Sequence, residues 1–408
     1  MEKKSNNSSL KAIQLKELKK SILEQKFEAK VMLVCGNSAK KTFVYKELYS
    51  MTNIYEFNDF EPNPSYKSVV RGVEFYNKNS CNTIVAIGGG SAIDVAKTIK
   101  LYKDIINDDT KENFFRIKNI SEKDIKAPVP KLIAIPTTAG SGSEATRFAV
   151  IYYEDEKQSI DNKLCLPNKT FLFPQLLETL PLYQKETTML DAWSHCVESF
   201  WAVNATEESK KMAQRALCLI YGNAKSYFDN ELRGNGQMQK AANLAGRAIN
   251  ITRTTAGHAM CYMLTKKYGI PHGHGAALCT KEIWKYMENE CMKSNSIENK
   301  CMTNNSIENE NIENNHKKNK DTKQSTKNEK IKKDLTKLNR IITELENKYG
   351  KIEIPRPKEF DKNWSDEEIR ESAKELALTV NAERLKNHPM KMSTDVIQNL
   401  YEKILRGY

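Results

Sequence analysis

An α/β half followed by an all-helical half is the architecture this sequence predicts, and three observations predict it. Short apolar runs alternate with helical stretches from Ala29 to about Phe173, the rhythm of βα units laid into a mostly parallel sheet. Beyond about Leu180 the short runs cease and long amphipathic stretches replace them. The chain, at 408 residues, is also longer than one typical core supports, so two domains are expected.

Taken in order, VMLVC at 31–35 reads as a strand ending at Gly36. EFNDFEPNPS at 56–65 is a turn-rich connection whose prolines exclude a central strand. TIVAI at 83–87 is a strand that runs into Gly88, and KLIAI at 131–135 is a third, ending at Pro136. Helices are expected over Lys185 to Ala202, Glu207 to Tyr227 and Met238 to Ile249, and again after Ile331. Residues 288–334 fit neither pattern: NSIEN occurs at 295 and again at 305, and the stretch runs into a Lys/Asn/Asp/Thr tract. Too few large apolar side chains are available there to offset the entropy of ordering, so a mobile insertion with no chemical role is expected.

Composition narrows the classes of function. A net charge of +12 arises from lysines scattered among Glu and Asn, without a basic stripe interleaved with aromatics, so nucleic acid is not the expected partner. A positive field would still help an anionic small molecule arrive. Nine cysteines lack paired CxxC spacing, which fits reduced thiols in a cytoplasmic protein. MEKKSNNSSLK has no apolar stretch after its basic start, and no run of eighteen apolar residues follows, so neither secretion nor membrane spanning is expected.

Four residues point to a metal. Asp191 and His195 are four apart in LDAWSHCVESFW, which puts both on one helical face a turn apart. His258 and His272 bracket HAMCYMLTKKYGIPH, an apolar-periodic stretch that ends at Gly269 and Pro271. One carboxylate and three imidazoles suit iron(II) or zinc and leave room for a substrate oxygen. His316, in a Lys/Asn tract, and His388, in a polar turn, look solvated.

A second group points to a dinucleotide. TIVAIGGGSAIDVAKTIK sets Gly88, Gly89, Gly90 and Ser91 between a strand and a helix, where backbone amides attract phosphate and absent side chains let a pyrophosphate approach. IPTTAGSGSEAT at 135–146 adds Thr137, Thr138, Ser141 and Ser143 at another strand exit. After the first strand, VCGNSAKK offers Gly36, Asn37, Ser38, Lys40 and Lys41 where a carboxylate would favour NAD, so the local charge permits NADPH as well as NADH.

These residues together resemble the iron-containing (group III) alcohol dehydrogenase family. AIGGGSAIDVAK, PTTAGSGSEAT, the Asp191/His195 pair, His258 and IPHGHGAAL carry the likeness, which spans nearly the whole chain outside 288–334. The resemblance implies a Rossmann-like dinucleotide-binding domain over 1–182 and an all-helical metal-binding domain over 183–408. It also implies an active site in the cleft between them, and a homodimer or larger homo-oligomer. It assigns Asp191, His195, His258 and His272 to the metal, and Gly88 to Ser91, Asp94, Thr137, Thr138 and Ser141 to the nucleotide. Two departures stand out. Gly36 occupies a position where many members have Asp, and Tyr262 stands where many have a histidine four residues after the third ligand. A phenol there could relay a proton or serve as a packed aromatic.

Within the family, INITRTTAGHAMCY, IPHGHGAAL, SEATRFAVIY and FNDFEPNPSY look most like the phosphonoacetaldehyde reductase subgroup. Arg147, Arg253 and His274 lie within or beside the cofactor and metal segments, and guanidinium groups suit bidentate capture of a phosphonate. Arg147 or Arg253 could instead form a structural ion pair with a carboxylate such as Glu144. The expected reaction is NAD(P)H-linked reduction of phosphonoacetaldehyde to 2-hydroxyethylphosphonate. Alternatives are a sibling alcohol, diol or lactaldehyde dehydrogenase, a maleylacetate reductase, a lyase of the dehydroquinate synthase type, or a non-catalytic scaffold.

Overall fold

The computed structural model describes the backbone of residues 2–24, 28–105, 110, 120, 123, 125, 128–154, 156–304 and 315–407, and, within these, side chains outside 2–10 and 294–327. By internal contacts the chain forms two compact units, Met1–Thr188 with Asn223–Asn250, and Met189–Gly222 with Ile251–Tyr408.

The first unit is built on a parallel sheet. Helix α1 (Glu2–Leu23) precedes β1 (Val31–Cys35), α2 (Phe43–Tyr49), β2 (Ile54–Phe57), α3 (Tyr66–Lys78), β3 (Thr83–Gly88), α4 (Gly90–Tyr102) and β4 (Lys131–Pro136). An antiparallel hairpin of β5 (Phe148–Tyr153) and β6 (Glu156–Asp161) follows, then the short β7 (Lys169–Thr170). Among the described residues five strands pair in parallel in the order β2-β1-β3-β4-β7. The three strands expected at 31, 83 and 131 are its centre. Residues 56 and 57 close β2, which is an edge strand, and Pro62 and Pro64 fall beyond it in the loop.

Alternation along each strand explains why both faces are covered. Met32 and Val34, Ile84 and Ala86, and Leu132 and Ala134 share one core with Val69 and Val73 of α3 and Ile93 and Ile99 of α4. Their neighbours Leu33 and Cys35, Val85 and Ile87, and Ile133 and Ile135 share the opposite core with Leu18 and Ile22 of α1 and Val44 and Leu48 of α2. A strand buried on both faces reads as continuously apolar, as these do. Each such Val, Leu or Ile contributes roughly 1.5–3 kcal/mol when fully buried. From β1 the chain steps outward to β2 and then back across to β3, so the order reverses between β1 and β3. Ligands of open parallel sheets bind outside the carboxyl ends of strands at such a reversal. Gly36 and Gly88 sit there.

Helices make up the rest: α5 (Leu182–Trp201), α6 (Glu207–Phe228), α7 (Leu232–Thr252), α8 (Ala256–Tyr268), α9 (His272–Asn304), α10 (Asn315–Tyr349), α11 (Asp366–Leu378), α12 (Ala382–Leu385) and α13 (Thr394–Arg406). Helix α8 stops at Gly269, whose φ of 73° suits glycine at a left-handed C-cap, and Ile270-Pro271 follows. Residues 288–304 and 315–334, expected as a loosely ordered insertion, continue α9 and open α10 in backbone conformation. The mobility expected of that stretch, its second NSIEN copy at 305–309 and the side chains around His316 lie outside the described residues. Near its end, Asp334 is buried and its Oδ1 lies 2.5 Å from Lys210 Nζ of α6, while Ile331 and Leu335 pack into apolar surroundings. No helix among the described residues is long and apolar enough to cross a membrane.

Candidate metal centre and nucleotide cradle

The second unit carries the candidate metal centre. Asp191 and His195 lie one turn apart on α5, His258 on the first turn of α8, and His272 opens α9 after the Gly269-Ile270-Pro271 turn. One ligand atom from each of Asp191, His195 and His258 falls within 4.8 Å of the others, and all three side chains are buried. His258 Nε2 is 3.4 Å and His195 Nε2 3.9 Å from Asp191 Oδ1. The two imidazoles stack at 4.5 Å, and the His272 ring lies edge-on to His258 at 5.5 Å. The expected four residues therefore gather. Three form a tight donor set, and the fourth stands beside it with its Nδ1 3.5 Å from Cys261 Sγ.

Electrostatics at this cluster favour a cation. Burial alone would raise the Asp191 carboxyl, yet His195, a hydrogen bond from His258 and the nearby His272 together hold it well below the usual carboxylate range. Burial would likewise lower His258, but Glu198 and Asp191 push it up to about 9. Such a field prefers positive charge among these buried groups. A carboxylate with several imidazoles is also a donor set that iron(II) and zinc both accept, so the residues present fit the ion.

One participant was not anticipated from the sequence. Glu198, fully buried, follows Asp191 by seven positions and so shares its face of α5. His258 Nδ1 donates to Glu198 Oε1 at 2.9 Å, which leaves Nε2 turned toward Asp191. The His258 amide donates to the same oxygen at 3.0 Å, and Thr280 Oγ1 at 3.2 Å. Thr255 donates to the other oxygen through its amide and, at 2.9 Å, its hydroxyl. These bonds and the His258 charge outweigh the burial that would raise Glu198 and bring it to about 2. A carboxylate spaced three and seven residues from a candidate His and Asp, inside an apolar helix, was the available signal.

The other expected site residues divide by partner. Tyr262, half-buried, follows His258 by one turn of α8. His274 is buried and its Nε2 donates to the Pro355 carbonyl at 2.7 Å. Arg253 lies between α7 and α8 with a φ of 60°. In the first unit, Arg147 Nε pairs with Asp161 Oδ1 at 2.5 Å and its Nη1 donates to the Asn250 carbonyl at 2.7 Å. A structural ion pair was the alternative weighed for this arginine, and the carboxylate is Asp161 rather than Glu144. His388, expected to be solvated, is buried with its ring edge-on to Trp201 at 6.4 Å.

At the sheet's carboxyl edge, Gly88 ends β3, Gly89 is the N-cap of α4 and no side chain caps that helix. A Cβ on Gly89 would lie 3.4 Å from Thr138 Cγ2, and one on Gly90 would lie 3.2 Å from Ser141 Oγ. Thr137 N donates to the Gly88 carbonyl at 3.0 Å, so the two expected segments form one surface. Its uncapped amides and glycine backbone suit a pyrophosphate. Ser91 Oγ accepts from the Asn63 amide at 3.3 Å. Asp94 turns inward: Ser143 Oγ donates to it at 2.5 Å and Val150 N at 3.0 Å, beside the fully buried Lys97 at 3.9 Å. Its carboxylate thus braces the 137–143 loop from below. Beyond Gly36, Lys40 Nζ sits 2.5 Å from Glu56 Oε1, and Tyr45 donates to the same carboxylate.

A parallel sheet with a glycine-lined strand exit, followed by helices that carry a buried carboxylate–imidazole cluster, suits a nucleotide- and metal-linked protein, and the fold alone does not set its reaction. Comparison with known proteins is more particular. The iron-containing alcohol dehydrogenase family profile matches residues 10–174, and the profile of that family's C-terminal part matches 185–405. The chain belongs to the iron-containing alcohol dehydrogenase family. Aldehyde-alcohol dehydrogenase 2 of Entamoeba histolytica is 29% identical over 283 residues, 67% of this chain and 32% of that protein. Alcohol dehydrogenase 4 of Schizosaccharomyces pombe is 34% identical over 241 residues, 57% of this chain and 54% of that protein. The matched stretch thus spans about a third and about half of these two relatives. A crystal structure of sulfoacetaldehyde reductase from Bifidobacterium kashiwanohense with NAD+ shares the fold, with a TM-score of 0.66, 22% identity and coverage of 92% of this chain and 91% of the other.

Proposed function

We propose that this chain catalyses metal-dependent, NAD(P)H-linked interconversion of an aldehyde and its primary alcohol, with phosphonoacetaldehyde reduced to 2-hydroxyethylphosphonate as its reaction. The observation that carries this reading is the convergence of Asp191, His195 and His258 within 4.8 Å. When bound, iron(II) or zinc supplies Lewis acidity toward the carbonyl oxygen and the dihydronicotinamide supplies the hydride. The chain does the rest. Asp191 offsets part of the charge of a dication, His195 and His258 present ring nitrogens, and His272 serves as the fourth donor. Tyr262 holds a proton at Oη for the product oxygen.

In this reading residues 1–182 serve the nucleotide and 183–408 the metal. Gly88, Gly89, Gly90 and Ser91 take the pyrophosphate, and Thr137, Thr138 and Ser141 bond to it or to the adjoining ribose. Asp94 acts through Ser143 by bracing that loop. Gly36 leaves the 2′-position unopposed, and Lys40 offsets the charge of Glu56, so NADPH is the preferred carrier over NADH.

The substrate assignment rests on cationic and polar groups that an uncharged aldehyde would not need. Arg253, His274 and Arg147 are assigned to the phosphonate, although Arg147 spends Nε and Nη1 on Asp161 and Asn250. The shared fold of a reductase named for sulfoacetaldehyde, another small aldehyde with an anionic head, adds support. A homodimer or larger homo-oligomer is the proposed assembly. The names of the curated relatives favour a second reading, in which an uncharged alcohol is the substrate.

Initial rates of anaerobically iron-loaded or zinc-loaded protein, with phosphonoacetaldehyde, propionaldehyde and lactaldehyde and each nicotinamide, decide between them. A charge-assisted contact should give the phosphonate about a tenfold to hundredfold advantage in kcat/KM. An uncharged aldehyde as the better substrate would establish the second reading. Absence of net nicotinamide turnover with every aldehyde would reject both.

A further inference from the structure

We propose that Glu198 is a positioning residue for the metal centre, an N-cap supplied from another helix that fixes the ring of His258 with Nε2 toward Asp191. The inference rests on the metal reading above and adds a residue to it. Helix α8 begins after Thr255, whose own side chain does not cap it. The amide of His258, at the third position of the helix, would be one of the orphan donors of its first turn. Glu198 Oε1 accepts it at 3.0 Å, as a capping side chain does, although Glu198 belongs to α5. That same oxygen accepts from the His258 ring at 2.9 Å.

One carboxylate therefore fixes two things at once. It sets where the His258 backbone stands, by holding the helix start, and which way the ring faces, by engaging Nδ1. An imidazole whose Nδ1–H is donated presents Nε2 as its lone-pair donor, and a ligating histidine so backed by a carboxylate is a stiffer and more basic ligand. Negative charge at a helix N-terminus is itself favourable. Thr255 and Thr280 complete the socket, so both carboxylate oxygens have donors. Gly257 closes it. A Cβ at that position would overlap Glu198 Oε1 and Thr280 Oγ1.

The test is metal affinity and the visible spectrum of the cobalt(II)-substituted full chain, comparing wild type with Glu198→Gln, Glu198→Asp and Thr280→Val. The proposal expects Glu198→Gln to weaken metal binding about tenfold to hundredfold and to change the cobalt ligand-field bands. Thr280→Val, which loosens the socket but keeps the carboxylate, should give the same spectral change in smaller degree, and Glu198→Asp should restore part of the affinity. If Glu198→Gln does not fold, Thr280→Val carries the test alone. Variants that melt earlier yet bind cobalt with wild-type affinity and an unchanged spectrum would overturn the proposal, reducing Glu198 to a helix cap. Wild type that binds no divalent ion would instead sink the metal reading itself.

Discussion

His258 sits between two carboxylates, Asp191 at its Nε2 and Glu198 at its Nδ1, and because both favour its protonated ring, apo stability and metal affinity should depend on pH in opposite directions. With no metal bound, its raised value means that the stability it contributes is complete below the ordinary value of 6.5 and is lost as pH rises through about 9. Metal binding needs the neutral ring, so affinity rises across that same window as the competing proton departs. Calorimetric melting of the chelator-treated protein should therefore show a falling Tm from pH 6.5 to 9, while chelator competition shows tightening zinc affinity. Trends that are flat or share one direction would contradict this assignment. His272 makes a different case, since it flanks the three-donor set with a thiol rather than a carboxylate at its Nδ1. Replacement of His272 by Ala is expected to strip the metal during purification and abolish turnover. Metal analysis that finds a full complement, with turnover intact, would remove His272 from the ligands.

Helix α5 is where the sequence was most legible, because Asp191, His195 and Glu198 recur on one face, although only the first two were recognised. Residue types familiar as ligands stood out, whereas a buried Glu becomes conspicuous only once its five donors from Thr255, His258 and Thr280 are seen in space. Asp94 shows the converse. The family resemblance assigns it to the nucleotide, whereas helical period alone does not show that α4 turns this carboxylate toward Ser143 and Lys97. Two predictions belong at this scale. Gly257→Ala pushes a methyl group into the Glu198 socket and should destabilise the fold by about 1–3 kcal/mol in denaturant titration; an unchanged midpoint would mean that the socket yields freely. Lys97→Met leaves Asp94 buried without its cation, at a cost of about 3–5 kcal/mol. Loss of nucleotide affinity without loss of stability would argue instead that Asp94 and Lys97 face the ligand.

Across the whole molecule, the order of apolar runs foretold a parallel sheet and a helical remainder, since burial on both faces forces the continuous Val, Ile and Leu runs of β1, β3 and β4. The β5–β6 hairpin and helix α1 escaped notice because their exposed faces dilute the periodic signal. Residues 288–334 mark another boundary: low complexity suggests a mobile insertion throughout, yet Ile331 and Asp334 are packed and Asp334 holds Lys210. A deletion confined to 295–325, a stretch too poor in large apolar side chains to build a core, should leave metal content and turnover within about twofold of the full chain. A deletion extended through Asp334 should destabilise the protein. Loss of turnover on the shorter deletion would give the repetitive stretch a role it is denied here.

X-ray absorption at the metal edge of the iron-loaded or zinc-loaded protein tests the central claim most directly. One ion per chain is expected, in a nitrogen and oxygen shell that shows imidazole scattering, unchanged by Cys261→Ala and degraded by His258→Ala. A sulfur neighbour, or a spectrum indifferent to His258, would contradict it.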